Sequence, residues 1–435
     1  MPPSLREILP IFKQYGLPLT CILLVGMALW WEVSHTLYTP VSPRKNLITL
    51  TLSIWGNAEE VATTQQLIKT FEQQQPTVRV KLLHTPDQYM SKLQLLMATN
   101  QSPDVLLMNN LTLPLFTHTN QLLSLESTLT PTEKRAFMPQ SLETFTINNH
   151  LFALPRDVSV LVLYLNTDWL KQAGLKPPTP NWRWQQEAIP LLQTAVKHPP
   201  LASKTALHWG ISFYTKPALF WLPFIFSWGG ILPQTPQQAA SSFLPNASAV
   251  QGLTFYQQLR TQYHLAPLAT EVGNTSMTEL FLQQKLVAII SGRWILPVLQ
   301  QQAPFQWQIF PLPAGPAGSV VGVDGSGYCV SATSVHPKQA VALAKFLTSK
   351  QAQTLFSHSG LITPARTDVP LRADQATFLK AIQTGKPTHS PVQWEAWQTL
   401  MQETLTPAFD GETSVSSVLN TQAFQSRQQQ EGLTP

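Results

Sequence analysis

FLQQKLVAIISGRW (residues 281–294), PLPAGPAGSVVGVDGSGYCVSATS (311–334) and HPKQAVALAKFLTSKQAQTLFSHSGLITPAR (336–366) decide how this chain is read. Ser276 with Glu279 three residues on has the capping-box pattern, so a helix opens just ahead of the first block. Residues 286–290 are an apolar run between polar neighbours and suit a buried strand. The Gly-rich GVDGSG then leads into a second strand. Pro337 fits a first helical position, after which Ala340, Val341, Ala344 and Leu347 share one face. Gly360 fits the position just past the end of a following helix.

Working towards the N-terminus, Ile48, Leu50, Leu52 and Ile54 alternate with Thr49, Thr51, Ser53 and Trp55, the period of a strand. A helix with Val61, Leu67, Ile68 and Phe71 on one side follows. Then come a strand over 78–83, a helix over 88–98 burying Leu93, Leu96 and Met97, and a short strand over 105–108. Strands alternating with helices predict right-handed crossovers and a parallel sheet covered on both faces. A further buried strand is expected over 160–165, with a helix ending near Gly174. KPPTPNWRW (176–184) opens a more helical region, and a last helical stretch starts near Gln393 and includes Leu400 and Met401. Residues after Gln425 are polar and aperiodic, and fraying is expected there.

The order of these pieces resembles the extracellular solute-binding proteins of family 1, the sugar-binding receptors of ABC importers. The chain supplies Phe281, Lys285, Ala288, Gly292 and Trp294 of the family's first block. It supplies Gly325 and Gly327 of the Gly-rich strand. Ala342, Phe346, Leu347, Thr348, Ser349, Ala352 and Gln353 match the helix pair, and Gly360, Pro364, Ala365 and Arg366 the closing turn. It departs at Gln284, where the family usually has Gly, and at Arg293, where Pro is common; neither change is expected to touch the ligand chemistry. ITLTLSIWGN (48–57), QSPDVLLMNN (101–110), LFALPRDVSVLVLYLNTDWLKQAGL (151–175) and FIFSWGGIL (224–232) resemble further family blocks in the family's order.

The resemblance implies an α/β fold of the two-lobe periplasmic-binding-protein type (type II), with a hinge and an interlobe cleft. The implied division is 46–157 plus 285–333 for the first lobe and 158–284 plus 334–435 for the second. The chain would cross between lobes near 155–158, near Lys285 and near 331–334. At 435 residues the chain exceeds one ordinary core, which agrees with two lobes.

Charged residues make up 12% of the chain, against roughly 25% in ordinary soluble domains. Neutral amides and hydroxyls supply much of the polar surface. The net charge of +5 is spread along the chain, with no Lys/Arg run interleaved with aromatics, so a nucleic-acid partner is not expected. Of two cysteines, Cys21 lies in the apolar N-terminal segment and Cys329 in an expected buried strand, so no disulfide is implied. The ten histidines are scattered and suggest no metal.

No charge falls between Lys13 and Glu32, and 17–31 is nearly all apolar, near the short limit of about 17–25 residues for a spanning helix. Trp30 and Trp31 suit the far interface, while Arg6 and Lys13 precede the segment and hold the N-terminus in the cytoplasm. Residues 1–45 thus read as a cytoplasmic start, a membrane anchor and a tether. A cleaved signal peptide is the rival reading, against which stands the lack of a small-residue cleavage site. Either way, residues 46–435 are exported to the periplasm or the outer face of the cytoplasmic membrane.

Ligands of open parallel sheets bind beyond the carboxyl ends of the strands. The candidates there are Trp55 and Asn57 after the first strand, Asn109 and Asn110 after the third, Asp157, and Asp324, Gly325 and Ser326 before the Gly-rich strand. Trp228 and Gly229 belong to the GG turn, and Trp294 and Arg366 come from the family blocks. Aromatic rings cover the C–H face of a sugar while amides, hydroxyls and carboxylates bond its rim. Each residue has a second reading. Asn57 can cap the next helix with Glu60 at its third position, Asp157 can pair with Arg156, Trp228 can be core, and Arg366 can brace its turn.

No G-x-S-x-G, H-E-x-x-H or Walker A pattern is present, and no two acids stand out as a glycosidase pair. The expected function is therefore a monomeric, non-enzymatic ABC-importer receptor without a cofactor. It would capture a sugar or oligosaccharide and deliver it to membrane permease subunits. The competing readings are a membrane-anchored carbohydrate-active hydrolase and a receptor for a glycerophosphodiester, which Arg366 would meet.

Overall fold

The first strand, β1 (Ile48–Ile54), buries Leu50, Leu52 and Ile54 as its alternation requires. The structure, a computed structural model, describes residues 47–200, 207–232 and 246–420 apart from 359 and 371, with 424, 426 and 427. The expected membrane segment, Cys21 and the tether lie outside the described residues. Among the described residues no helix is long and apolar enough to cross a membrane.

Along the chain β1 is followed by β2 (Val78–His84) and β3 (Val105–Asn109), then by a hairpin of β4 (Thr146–Ile147) and β5 (His150–Leu151). Next come β6 (Ala153–Pro155), β7 (Asp157–Val158), β8 (Val162–Asn166) and β9 (Trp209–Ile211). The later strands are β10 (Leu286–Ser291), β11 (Trp307–Phe310), β12 (Gly322–Val323), β13 (Ser326–Val330), β14 (Thr363–Pro364) and β15 (Lys386–Pro387).

Two main sheets result. One has the order β2-β1-β3-β13-β6, the other β11-β8-β10-β9. β1 and β3 run parallel, as the helix crossovers demand, but β13 is antiparallel to both β3 and β6, so the first sheet is mixed rather than purely parallel. β8 and β10 are buried along their whole length in the middle of the second sheet, which is why both read as unbroken apolar runs.

The expected division of the chain differs from the sheets at two places. Residues 286–291 and 307–310, expected in the first lobe, pair with β8 in the second sheet. Helix Pro337–Leu347, expected in the second, packs against β13, β3 and helix Ala58–Gln74 of the first sheet. The reason is local: helix Leu296–Gln302 after β10 leads into β11, which pairs with β8 on its other side, and only residues 331–336 separate β13 from helix Pro337–Leu347. The passages between sheets fall between β6 and β8, and between β11 and β13. β7 pairs with β14 in a two-residue antiparallel ladder beside the first of these.

Individual elements follow the sequence closely. Pro337 is at the start of its helix, which buries Ala340, Ala344 and Leu347 and also Leu343. Ser276 caps its helix by accepting from Glu279 N. Gly360 adopts φ +81 just past helix Lys350–His358. Gln284, where the family pattern has Gly, also takes a left-handed backbone, φ +57, a conformation costing a residue with a Cβ roughly 1 kcal/mol or more.

Candidate functional site

The carboxyl ends of β1 and β3 and the amino end of β13 open on one cleft of about 370 Å³. Nine of the twelve predicted residues line it: Trp55, Asn57, Asn109, Asn110, Asp157, Trp294, Asp324, Gly325 and Ser326. Both sheets contribute, the first through Trp55 at the end of β1 and the second through Trp294 just after β10.

Asn57 is a full N-cap. Its Oδ1 accepts from Glu60 N at 3.0 Å, and Glu60 Oε2 accepts from Asn57 N at 3.2 Å. Capping occupies the amide oxygen and leaves its NH2 for other work. The Trp55 ring meets Tyr89 edge-on at 5.0 Å, and Tyr89 is itself fixed by donating to Ser53 O and Leu107 O. Trp55 is thus held from behind with a face left for the cleft.

The floor is a chain of charges. Arg156, 5% exposed, meets Glu60 at 3.3 Å and Asp157 at 2.8 Å. Asp157 also accepts from Ser326 N at 2.9 Å and from Ser326 Oγ. Burial alone would lower the Arg156 pKa, but the neighbouring Asp157, Tyr328 and Glu60 outweigh it and hold the guanidinium above its ordinary value. Asp157 therefore has both readings at once, lining the cleft while its oxygens are bonded to Arg156 and Ser326.

Asn110 ties a second group together. Its Nδ2 donates to Asp324 Oδ1 at 3.1 Å and to Thr388 O at 2.9 Å, and its Oδ1 accepts from Gly325 N at 3.1 Å. Burial pushes the Asp324 carboxyl up to about 6, against the hydrogen bonds of Asn110 and Thr388. Gly325 must be glycine because a Cβ there would lie 2.4 Å from Asp157 O. Asn109 Oδ1 accepts from Thr112 N, which closes the turn after β3.

Trp294 is 41% exposed, and its ring folds back over Gly292, where a Cβ would come within 1.9 Å of the indole. The Gly-x-Trp spacing of the sequence is thus a steric requirement of the ring's position. Arg293 beside it is 3% exposed and lines the cleft, contrary to the expectation that this departure from the family pattern leaves the site alone. Its Nη2 meets Asp374 at 3.0 Å, and burial lowers its pKa against the pull of that carboxylate.

Three predicted residues are not in the cleft lining. Trp228 stacks on Phe255 with ring centroids 4.4 Å apart, and Gly229, at φ +86, is exposed in the turn behind it. Arg366 makes a bidentate pair with Asp368, lies over the Phe137 ring and so braces its turn. The cleft in turn includes residues the sequence reading did not name as ligands, among them Arg156, Ser159, Leu219 and Thr363. Thr363 could have been found, since it directly precedes the Pro-Ala-Arg turn; nothing in the sequence marks Leu219.

This is a binding geometry. Its acids are tied to cations, amides or hydroxyls, and the described residues hold no group of three or more metal-ligating side chains. The comparisons agree. Residues 55–354 match the model of the bacterial extracellular solute-binding proteins, and the chain belongs to that family, whose members are receptors rather than enzymes. Among curated relatives, the multiple sugar-binding protein of Streptococcus mutans is 22% identical over 325 residues, covering 70% of this chain and 72% of its own. An uncharacterised lipoprotein of Streptomyces antibioticus is 26% identical, covering 71% and 68%. Of solved structures, an ABC substrate-binding protein of Listeria monocytogenes in complex with cycloalternan superposes with a TM-score of 0.75 at 17% identity, over 89% of this chain and 99% of that one. A Streptomyces glaucescens receptor, solved unliganded and with acarbose, gives 0.72 at 20% identity, over 89% and 100%.

Proposed function

We propose that the protein is the sugar-capturing receptor of an ABC importer. It holds a neutral saccharide in the cleft and hands it to membrane permease subunits. The observation that carries this reading is the pair Trp55 and Trp294, which come from different sheets to line one cleft with Asn57, Asn109 and Asn110. Indole faces suit the C–H side of a pyranose and the amides its hydroxyls. The relatives named for multiple sugars and maltodextrin, and the fold neighbours solved with oligosaccharides, support the same class.

A phosphodiester ligand is disfavoured because Arg366 is engaged by Asp368 outside the cleft, and Arg156 and Arg293 each already face a carboxylate. In mechanism, the sheets act as two halves that close when a sugar touches both. The sheet pairing suggests 49–155 with 322–364 for one half and 162–310 with 394–420 for the other. The receptor works as a monomer on the outer face of the cytoplasmic membrane, where an N-terminal anchor raises its concentration near the permease.

A thermal-shift screen of residues 46–435 against mono-, di- and oligosaccharides tests this. A saccharide that raises the Tm without being hydrolysed is expected, and Trp294→Ala should weaken its binding at least tenfold with the unliganded Tm nearly unchanged. Turnover of the sugar, or full affinity in the variant, overturns the reading.

A further inference from the structure

Arg293 is a buried cation that sugar binding by itself does not explain. It stands between Gly292, over which the Trp294 ring folds, and Trp294 itself. Residues 293–295 form one short helical turn, so whatever holds Arg293 also holds Trp294. Two anchors fix that turn. In the second sheet, Tyr164 of β8 donates to Gly292 O at 2.9 Å. The other anchor is Asp374, whose Oδ1 accepts from Arg293 Nη2 at 3.0 Å, with the guanidinium over the Phe378 ring at 5.5 Å.

Asp374 belongs to neither half as the sheets define them, and its neighbours reach both. Arg372 Nη1 donates to His358 O at 3.0 Å, and the buried Gln375 donates from Nε2 to Ser357 Oγ at 3.0 Å and to Ile362 O at 3.4 Å. Those acceptors lie in or just after helix Lys350–His358, which packs on β14 and on helix Ala58–Gln74 of the first half. The helix that follows Asp374, Ala376–Thr384, packs on β8 of the second sheet. The Arg293–Asp374 pair therefore joins the Trp294 turn to a segment braced on the first half.

As a stabiliser the pair is poor. Arg293 Nε and Nη1 and Asp374 Oδ2 are buried and make no hydrogen bond among the described residues. A buried cation held at one point recovers little of its desolvation cost, and well-packed apolar side chains often serve stability as well or better. Pro, common at this place in the family pattern, would fix the backbone of the turn but could reach no partner. What Arg293 adds over either is a directional, charge-assisted contact between two parts of the molecule.

We propose that Arg293 is a positioning residue for sugar capture. Through Asp374 it fixes where the Trp294 indole stands in the cleft that it shares with Trp55, a role that rests on the sugar-receptor reading above. Its own Nε and Nη1 are too buried to meet a guest. Asp374 is not in the cleft lining, so it acts on a ligand only through this link.

The test is a double-mutant cycle on the full chain in detergent, titrated calorimetrically with maltose, maltotriose and acarbose. Asp374→Asn should weaken the sugar that binds by about fivefold or more, but by less than about twofold when Trp294 is already Ala. Arg293→Met with Asp374→Leu removes both charges together; it should keep the Tm of the unaltered protein and show the same loss of affinity, which covers the case in which Asp374→Asn fails to fold. Near-ultraviolet circular dichroism of the unliganded chain is the readout that needs no sugar. Asp374→Asn should change the tryptophan bands when Trp294 is present and leave them alone in the Trp294→Ala background. Unchanged affinity and dichroism, or an equal loss with and without Trp294, overturns the positioning role. No binding of any of the three sugars by the unaltered chain counts against the receptor reading, and the dichroism then decides the positioning role alone.

Discussion

Trp228 and Trp294 both sit beside glycines, at the ends of apolar runs, yet the two regions use the same pairing for opposite ends. At Trp294 the glycine two residues earlier clears space for the indole to fold back, and the ring stays 41% exposed on the cleft. At Trp228 the glycine that follows turns the chain at φ +86, and the ring stacks on Phe255 at 4.4 Å. The segment after β11 closes over this region, with Ala317 N donating to Ser227 O. A glycine near a tryptophan therefore does not by itself place the ring on the cleft. What distinguishes the two is whether the next element covers the ring.

That contrast can be broken most directly by Trp228→Ala. It should lower stability by about 2–3 kcal/mol, somewhat under a fully buried aromatic deletion, while sugar affinity stays within twofold. Chemical denaturation with a binding titration checks both, and a stable variant that no longer binds would reverse the assignment of the two rings.

Much of the fold was legible because its signals are local. The alternation of β1, the capping pair at Ser276 and Glu279, and Pro337 at its helix start are each contained within a few residues. The cleft residues of the first sheet were legible for a related reason, since strand ends in a parallel arrangement converge wherever the helices cross over. The partnership of β10 with β8 was not, because sheet membership depends on pairing between segments far apart in the chain. The role of Arg366 was hidden by Asp368, only two residues on, whose carboxylate takes both guanidinium donors. Arg293 was misjudged because its partner, Asp374, is 81 positions away.

The polar side of the cleft offers a smaller test. Asp324 has its pKa raised to about 6 by burial, so the folded state holds the proton more tightly than the unfolded chain. Its contribution to stability is complete below about pH 4 and is lost as pH rises through 6. Asp324→Asn should therefore gain on the unaltered protein by about 2 kcal/mol between pH 4 and pH 7.5. Denaturation midpoints at the two pH values check it; an equal difference at both would show that folding leaves the carboxyl's pKa unshifted. Least of all, Gln284→Gly should raise stability by about 1 kcal/mol by relieving φ +57. A fall in Tm would mean that contacts of the Gln284 side chain outweigh its backbone.

Trp294 is also the most exposed tryptophan among the described residues, where Trp169, Trp182, Trp184 and Trp221 are fully buried. Collisional quenchers such as iodide reach an indole only from solvent. Among the described tryptophans the most quenchable emission thus comes from the cleft wall. A guest lying across that ring would shield it, so occupancy can be followed optically without attaching any dye.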